Sequence, residues 1–408
     1  MRIAFVYDFL FPFHIGGAEI RTYKLALYMA KHPEVERVDM IGVKMWDGPD
    51  HFIKDGIHYH GVCRYQSVQD GKFGGRRMIR DALRYGRSVR AWLRQHHDLD
   101  IVDISAFPYA HLHDTIAEME AGKMQPVVTW HQFWGPYWKE YMGSLIGKAG
   151  MRLERKIARI PAQHVCVSTD VQDSLRQAGC QPGTIKVVPN GVDANLIDGP
   201  SRPHSERDID VIFVGRLTHQ KNVGLFIDAV AHLARGAGGG DGIKRDADRK
   251  GDTSSLQCAI VGDGPLRKQL QKQAAKRGVE HRIRFYGAIP PPQVHTLLQR
   301  SKTFILPSRQ EGQGGVVLEA MAARVPVITV DAEQNAAQTQ VQHGRTGFIV
   351  QAQAEVVAAC VQRILTDPGK RQEIGDAGHR YASARTWDVT CTQMLQIYWD
   401  LMNRREND

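Results

Sequence analysis

FILPSRQEGQGGVVLEAMAARVP, residues 304 to 326, opens on three apolar residues, Phe304 to Leu306, that read as a short buried strand. A turn, Pro307-Ser308-Arg309-Gln310, leads to Glu311 and then to a glycine-rich loop at Gly312, Gly314 and Gly315. Helix formers follow from Val316 to Ala323, and Val325-Pro326 opens a further strand, VPVITV. Strand, glycine loop, helix, strand is the order of a parallel βαβ unit. Glycines ahead of a helix let backbone N–H groups approach an anion, and the helix start adds roughly half a positive charge. Glu311 precedes the loop and Glu319 lies in the helix, so two carboxylates flank whatever the loop cradles.

A carboxylate is no phosphate ligand, but ionised it accepts O–H bonds from a polyol. Phosphates in the middle with polyols at both ends describe a nucleotide sugar. The plain alternative is a surface-loop Glu311 and an ordinary helix Glu319, and the pair alone does not decide between them.

At 408 residues the chain exceeds one ordinary core, so two domains are expected. Its 42% hydrophobic and 24% charged residues are those of a globular protein, and no stretch has the apolar length of a membrane span. The apolar start, MRIAFVYDFLFPFHIGG, is interrupted by Asp8, Pro12 and His14, and reads as a first strand and loop rather than a signal peptide. Cys63, Cys166, Cys180, Cys258, Cys360 and Cys391 are scattered with no close pairing, which suits a reducing cytosol and argues against a zinc site. A net charge of +9 points to acidic partners: phosphorylated ligands, anionic lipid or nucleic acid.

From the N-terminus, Arg2 to Tyr7 reads as a strand, Gly16-Gly17 as its loop and Ala18 to Ala30 as a helix, a second strand, glycine loop, helix arrangement. That loop is either a ligand-facing turn at a strand's carboxyl end or simply a tight turn. Strands are expected at 38–43, 56–61, 100–105, 125–130, 164–168 and 184–188. Between Gly75 and His96 a helical pattern sets Arg76, Arg80, Arg84, Arg87 and Arg94 in one arc, opposite Met78, Tyr85, Val89, Trp92 and Leu93. This basic stripe, widened by Lys72, either meets an anionic membrane surface or is a solvated face. An aromatic loop, His131 to Trp138, follows the strand at 125–130; its aromatics either hold an acceptor or pack together. Gly199 to Pro203 has the composition of a linker. A second α/β domain then begins at Asp210, with Arg216 and Lys221 between its first strand and helix, where a phosphate would be held. Gly236 to Ser255 reads as a surface insertion without apolar period. Gly262-Asp263-Gly264-Pro265 is not a dinucleotide fingerprint, because Arg267 replaces the third glycine. Ile283 to Tyr286 reads as a strand with a turn at Gly287, and the amphipathic, aromatic segment Thr386 to Asn403 as a docking helix.

Taken together, Gly16-Gly17-Ala18-Glu19, Pro189-Asn190-Gly191-Val192-Asp193, Gly215-Arg216 with Lys221, Gly262-Asp263-Gly264-Pro265 and Glu311 through Glu319 resemble the retaining GT-B glycosyltransferases of family four (glycosyl transferases group 1). The match is best in the C-terminal half and nearly absent from Pro49 to Asp98. The resemblance implies an α/β, GT-B fold: two Rossmann-like domains facing across a cleft. An acceptor domain would span 1–198 and a nucleotide-sugar domain 199–385, with a helix at 386–408 crossing back to the first. It implies a metal-independent transferase, without cofactor, that moves a sugar from a nucleoside diphosphate, UDP or GDP, to a hydroxyl acceptor. Lipid-linked and cell-surface glycan precursors are among the acceptors it admits.

By position, Arg216 and Lys221 would neutralise the diphosphate, Glu319 hold the ribose and Glu311 the sugar hydroxyls. Gln313, Gly314, Gly315 and Val316 would run past phosphate and sugar, and Gly287 and Ile289 would meet the base. His131 would meet the sugar, with Gly16 and Gly17 bordering diphosphate and acceptor. Gln313 stands where the family commonly has Phe, and Gly315 where it has a larger apolar residue, which leaves the donor sugar open. Retention implies a front-face displacement in which a donor phosphate oxygen takes the acceptor proton. The competing readings are a nucleotide-sugar epimerase or hydrolase of the same fold, and a non-catalytic scaffold on a membrane through Arg76, Arg80, Arg84 and Arg87. Nucleic acid is not expected, since no binding motif accompanies the charge. The resulting expectation is a cytoplasmic protein with a peripheral place at the membrane's inner face.

Overall fold

The computed structural model describes residues 1–65, 68–69, 72–73, 79–199, 202–236 and 256–407. Several sequence readings fall outside that range: Arg76, Met78 and Gly74-Gly75 ahead of the basic helix, Pro200-Ser201 of the linker, and 237–255 of the expected insertion. The chain forms two compact units, Met1–Asn190 with Trp387–Asp408, and Gly191–Thr386.

In the first unit the elements are β1 (Arg2–Val6), α1 (Gly17–Met29), β2 (Arg37–Val43), β3 (His51–Lys54), β4 (Ile57–Cys63) and the two-residue strands β5 (Val68–Gln69) and β6 (Lys72–Phe73). They continue as α2 (Ile79–Leu93), β7 (Ile101–Ser105), α3 (Leu112–Ala121), β8 (Gln125–Trp130), α4 (Tyr137–Met142), α5 (Ser144–Ala158), β9 (Gln163–Cys166), α6 (Thr169–Gln177) and β10 (Ile185–Val187). The main sheet runs β10-β9-β8-β7-β1-β2-β4-β3, parallel except for the edge strand β3. Because successive side chains of a strand face opposite ways, both faces need cover. Ala4 and Val6 of β1 join one core with Tyr85, Leu112 and Ile157 from α2, α3 and α5. Ile3 and Phe5 join the other, with Leu25 of α1.

That second core also receives Cys391, Met394, Leu395, Ile397 and Tyr398 from the last helix of the chain, Trp387–Asn407. Tyr398 places its hydroxyl 2.6 Å from Asp103 on β7, a hydrogen bond spanning 295 residues. Thr390 adds a bond to the carbonyl of Pro189.

The second unit contains α7 (Ala194–Asp198), β11 (Ile209–Val214), α8 (Val223–Gly236), β12 (Cys258–Val261), α9 (Arg267–Arg277), β13 (Ile283–Gly287), α10 (Pro291–Gln299), β14 (Ser301–Leu306) and β15 (Gln310–Glu311). After these come α11 (Val316–Ala322), β16 (Val327–Val330), β17 (Gln334–Asn335), β18 (Gly347–Val350), α12 (Ala354–Thr366) and α13 (Pro368–Ser383); the helix at 387–407 is α14. Six strands form an all-parallel sheet in the order β13-β12-β11-β14-β16-β18. Its strands are short apolar runs such as VITV of β16, buried throughout, as a sheet covered on both faces requires.

Two local expectations are corrected, and one strand is added. Gln310 and Glu311 are not loop: they pair in parallel with Gln334 and Asn335, in register Glu311 with Asn335. The aromatic loop is helical from Tyr137 onward, and β3 forms an antiparallel edge that the sequence reading passes over. Each departure depends on a partner strand or a packed ring that local pattern does not carry.

Candidate active site

In a parallel sheet, ligands bind beyond the carboxyl ends of the strands, where the winding order reverses. The second unit winds outward from β11 to β12 and β13, then returns to place β14 on the other side of β11. The loops after β11 and β14 therefore part at the same point. They carry Arg216 and Lys221 on one side, and Ser308 and Glu311 on the other.

The structure brings Lys221 and Glu311 into an ion pair across 90 residues. Ser308 donates its hydroxyl proton to the same carboxylate oxygen at 2.7 Å. The side chains of Lys221 and Glu311 are only 18% and 9% exposed, so salt screens the pair weakly. Two further bonds clamp the loops together, from the Arg309 amide to the Gln220 carbonyl at 2.8 Å and from Gln220 Nε2 to Gln310 Oε1 at 3.1 Å. Arg216 behaves differently: it is exposed, and its guanidinium has no partner among the described residues. One cation is held and one is free. Ser308 was not singled out from the sequence; its place in a proline turn three residues before Glu311 was the available signal.

Gly262 explains its own motif. Its φ is +126°, and a Cβ there would collide with the carbonyl oxygen of Gly215. The glycine lets the β12 loop close on the Arg216 loop, where Gly215 N bonds Val261 O at 2.9 Å and Leu217 N bonds Asp263 O at 2.9 Å. The Gly-Asp-Gly run thus shapes the Arg216 loop. Arg267, in place of a third glycine, bonds Asp263 at 2.6 Å and lies beside Gly287. Gly287 closes β13 and accepts the Gly262 amide at 2.8 Å, while Ile289 packs its partly buried side chain on the domain core.

From Glu311 the chain passes Gln313, which is buried, and Gly314 with φ +80°, into Gly315 and Val316 at the start of α11. Gln340 steers this segment by donating to the carbonyls of Gln313 and Gly314. A Cβ on Gly314 would stand 2.9 Å from Ala337 Cβ, whereas one on Gly315 would meet nothing within 4 Å. Gly314→Ala should therefore lose about 1–2 kcal/mol of stability, from the left-handed backbone plus crowding. Gly315→Ala should fold as well as the wild type. Urea unfolding midpoints of the two variants check this; equal losses would overturn the distinction.

Glu319 lies in the first turn of α11, half-buried, with no hydrogen bond to its carboxylate among the described residues. Burial, with the Asp193 carboxylate adding repulsion, pushes its pKa up to about 7. Left without a donor among the described residues, its carboxyl oxygens keep their acceptor positions open. Asp193, the last residue of the Pro-Asn-Gly-Val-Asp motif, acquires its effect on Glu319 only in the fold.

In the first unit, the corresponding reversal lies between β1 and β7. Gly16 caps α1 in an extended conformation, and Glu19 folds back over it to meet His14 Nδ1 at 2.8 Å. Gly17 has open space where a side chain would stand. His131, just past β8, leans on Tyr7 at 5.7 Å and has an Nε2 without a partner among the described residues. It lines a small polar cavity with Arg21, Thr22, Asp103, Ser105 and Thr129. Burial above all, then the Arg21 cation, lowers the His131 pKa to about 3, with Glu19 opposing. At neutral pH it is an uncharged imidazole, suited to hydrogen bonding and poor as a general base.

Arg21 escaped the sequence reading. It is fully buried, bonds Asn190 at 2.9 Å and so joins the glycine loop to the Pro-Asn-Gly motif. The aromatic segment packs on itself: Trp134 stacks on Phe107 at 4.8 Å, and its amide and that of Gly135 bond buried Glu154. On α2, Arg80, Arg84 and Arg87 are exposed opposite buried Tyr85, Val89 and Leu93, but Arg94 is tied to Glu118 at 2.8 Å. Arg76 lies outside the described residues. Among the described residues no helix is long and apolar enough to cross a membrane.

Two family models match this chain in series. The first, Glycosyltransferase Family 4, covers residues 15–196, and the second, Glycosyl transferases group 1, covers residues 198–381. An α-D-kanosaminyltransferase of Streptomyces kanamyceticus is 30% identical over 193 residues, covering 47% of this chain and 45% of the relative. The chain spans about half the length of the curated relatives it matches. A sucrose-phosphate synthase of Thermosynechococcus elongatus superimposes with a TM-score of 0.77 at 19% identity, over 99% of both chains. HepE of Anabaena, solved with UDP and glucose, gives 0.73 at 19% identity over 97% of this chain and 99% of its own. At such identities the likeness establishes the architecture, two parallel-sheet α/β domains of GT-B type. With both halves matched in order and the fold shared, the chain belongs to the group 1, family 4 glycosyltransferases.

Proposed function

We propose that the protein is a retaining, metal-independent glycosyltransferase that moves a sugar from a nucleoside diphosphate to a hydroxyl acceptor. The observation that carries this reading is the cluster of Lys221, Glu311 and Ser308 at the sheet's reversal point, with Lys221 on the same loop as Arg216, which has no partner among the described residues. Arg216 and Lys221 meet the diphosphate, and their charge stabilises it as it leaves. An arriving diphosphate competes with Glu311 for Lys221, which frees the carboxylate for the sugar hydroxyls. Glu319 takes the ribose hydroxyls, Gln313 to Val316 pass the phosphates and sugar, and Gly287 and Ile289 border the base. His131, uncharged, hydrogen-bonds the sugar, and Gly16 and Gly17 leave room for diphosphate and acceptor.

His131 is a poor base and Glu319 is engaged with the ribose, so the acceptor hydroxyl attacks the anomeric carbon on the face the leaving group departs from. The carbon–oxygen bond to the diphosphate breaks, and a phosphate oxygen takes the acceptor's proton. The domain roles follow: 1–198 for the acceptor, 199–385 for the donor, with 386–408 completing the first. A lipid-linked acceptor would suit the exposed Arg80, Arg84 and Arg87, which could rest on an anionic leaflet from the cytoplasmic side.

The test is a thermal-shift panel of UDP, GDP, ADP and CDP, each with and without EDTA. UDP is the first to try, since the Anabaena relative was solved with it. A nucleotide at 100 times its Kd should stabilise the fold by about 2.7 kcal/mol. One clear winner, indifferent to EDTA, is expected. No shift with any of them would favour a scaffold, and donor turnover without an acceptor would favour an epimerase or hydrolase.

A further inference from the structure

Three histidines on the edge of the first sheet form a cluster that the sugar-transfer reading does not use. His51 of β3 pairs in register with His60 of β4, and His58 lies two residues before His60. Alternation puts all three on one face, while Phe52 and Tyr59 stack on the other at 4.8 Å. One ligating atom from each histidine lies within 4.8 Å of the others. His51 Nε2 and His58 Nδ1 are 3.2 Å apart, sharing one proton. Two nitrogens on a tetrahedral ion, each about 2.0–2.1 Å from it, stand about 3.3 Å apart. The observed separation matches that edge of the polyhedron.

A second observation concerns the third ligand. His60 Nε2 lies 2.8 Å from Asp39 Oδ1, whose other oxygen takes the Arg37 guanidinium at 2.8 Å. Asp39 is buried, and Trp92 packs against the His60 ring at 4.8 Å. A carboxylate on one ring nitrogen fixes the tautomer and leaves the other nitrogen for a metal, the arrangement that orients histidine ligands. Cysteine spacing could not reveal this site, and His-x6-His-x-His has meaning only once the hairpin turns.

We propose that His51, His58 and His60 hold a divalent transition ion of the zinc class, which replaces the proton now shared and pins edge strand β3 to β4. Imidazole ligands select zinc, nickel or copper over magnesium and calcium. The ion is structural: it closes a sheet edge and takes no part in sugar transfer.

Tag-free protein, stripped with chelator and dialysed, is titrated with zinc sulfate and separately with magnesium chloride by calorimetry. One equivalent of zinc and no magnesium should bind, and zinc should slow amide exchange in 51–54. The His51→Ala/His58→Ala variant should bind zinc at least about tenfold more weakly, as loss of a ligand or its support does elsewhere. His51→Gln, altering only an exposed edge residue, gives the same reading should the double variant fold poorly. No zinc binding, binding unchanged in both variants, equal uptake of magnesium, or exchange in β3 unaffected by zinc would each overturn the proposal.

Discussion

Glu311→Ala is expected to lower kcat/KM by about 100- to 1000-fold, the loss that follows removal of one preorganised polar group from a transition state. The fold should survive, with a stability loss of about 1–2 kcal/mol from two orphaned hydrogen-bond donors, Lys221 Nζ and Ser308 Oγ. Lys221→Ala should raise KM for the donor and lower kcat together, because charge grows on the diphosphate as its bond to the sugar breaks. The two residues act as one unit in the free protein, so the double variant should lose far less than the sum of the single losses. Glu311→Gln separates the two roles: it retains an acceptor for Ser308 but no longer neutralises Lys221. Steady-state kinetics with the nucleotide sugar identified by thermal shift provide the measurement. Turnover in Glu311→Ala within tenfold of wild type would remove Glu311 from the site.

The chemistry of that pair was open to a reader of the sequence, and its geometry was not. Glu311 and Lys221 stand out because a glycine loop and a strand end flank them, features written in local composition. Their contact across 90 residues depends on β14 returning beside β11, which only the sheet order decides. The same holds for Arg21: as one arginine on an amphipathic helix it gives no sign that it will be buried against Asn190. Tyr398 and Asp103, far apart in sequence, meet because α14 packs on the first sheet. Periodicity did identify α2 and most strands, since their burial pattern repeats every few residues. It failed at β15, two residues long, where pairing with β17 outweighs any local preference. The apolar pattern carries architecture; polar meetings over long sequence distance need the fold.

Glu319→Gln should separate stability from donor binding in a way that pH reveals. The native carboxyl holds its proton up to about pH 7, against an ordinary value of 4.5. Between those values the folded chain binds more protons than the unfolded one, so this group makes stability fall as pH rises, and the full penalty persists above pH 7. Glutamine removes the charge and with it the penalty. The variant should match wild type near pH 4.5 and exceed it at pH 8 by about 1–3 kcal/mol, the lower end reflecting a side chain that keeps some solvent. Binding should move the other way. Ribose hydroxyls donate to an ionised carboxylate, so wild-type affinity for the nucleotide sugar should weaken as pH falls below 7, approaching tenfold per unit. A nucleoside-diphosphate sugar, esterified at both ends, adds no titration of its own in that window. Glu319→Gln should bind more weakly at pH 8 and show a flat profile. Calorimetric Kd values from pH 5.5 to 8.5, beside urea unfolding at pH 4.5 and 8, test both halves at once. An unchanged pH slope in the variant would take Glu319 away from the ribose. A variant less stable than wild type at pH 8 would show that its carboxylate is stabilised by partners in the folded chain.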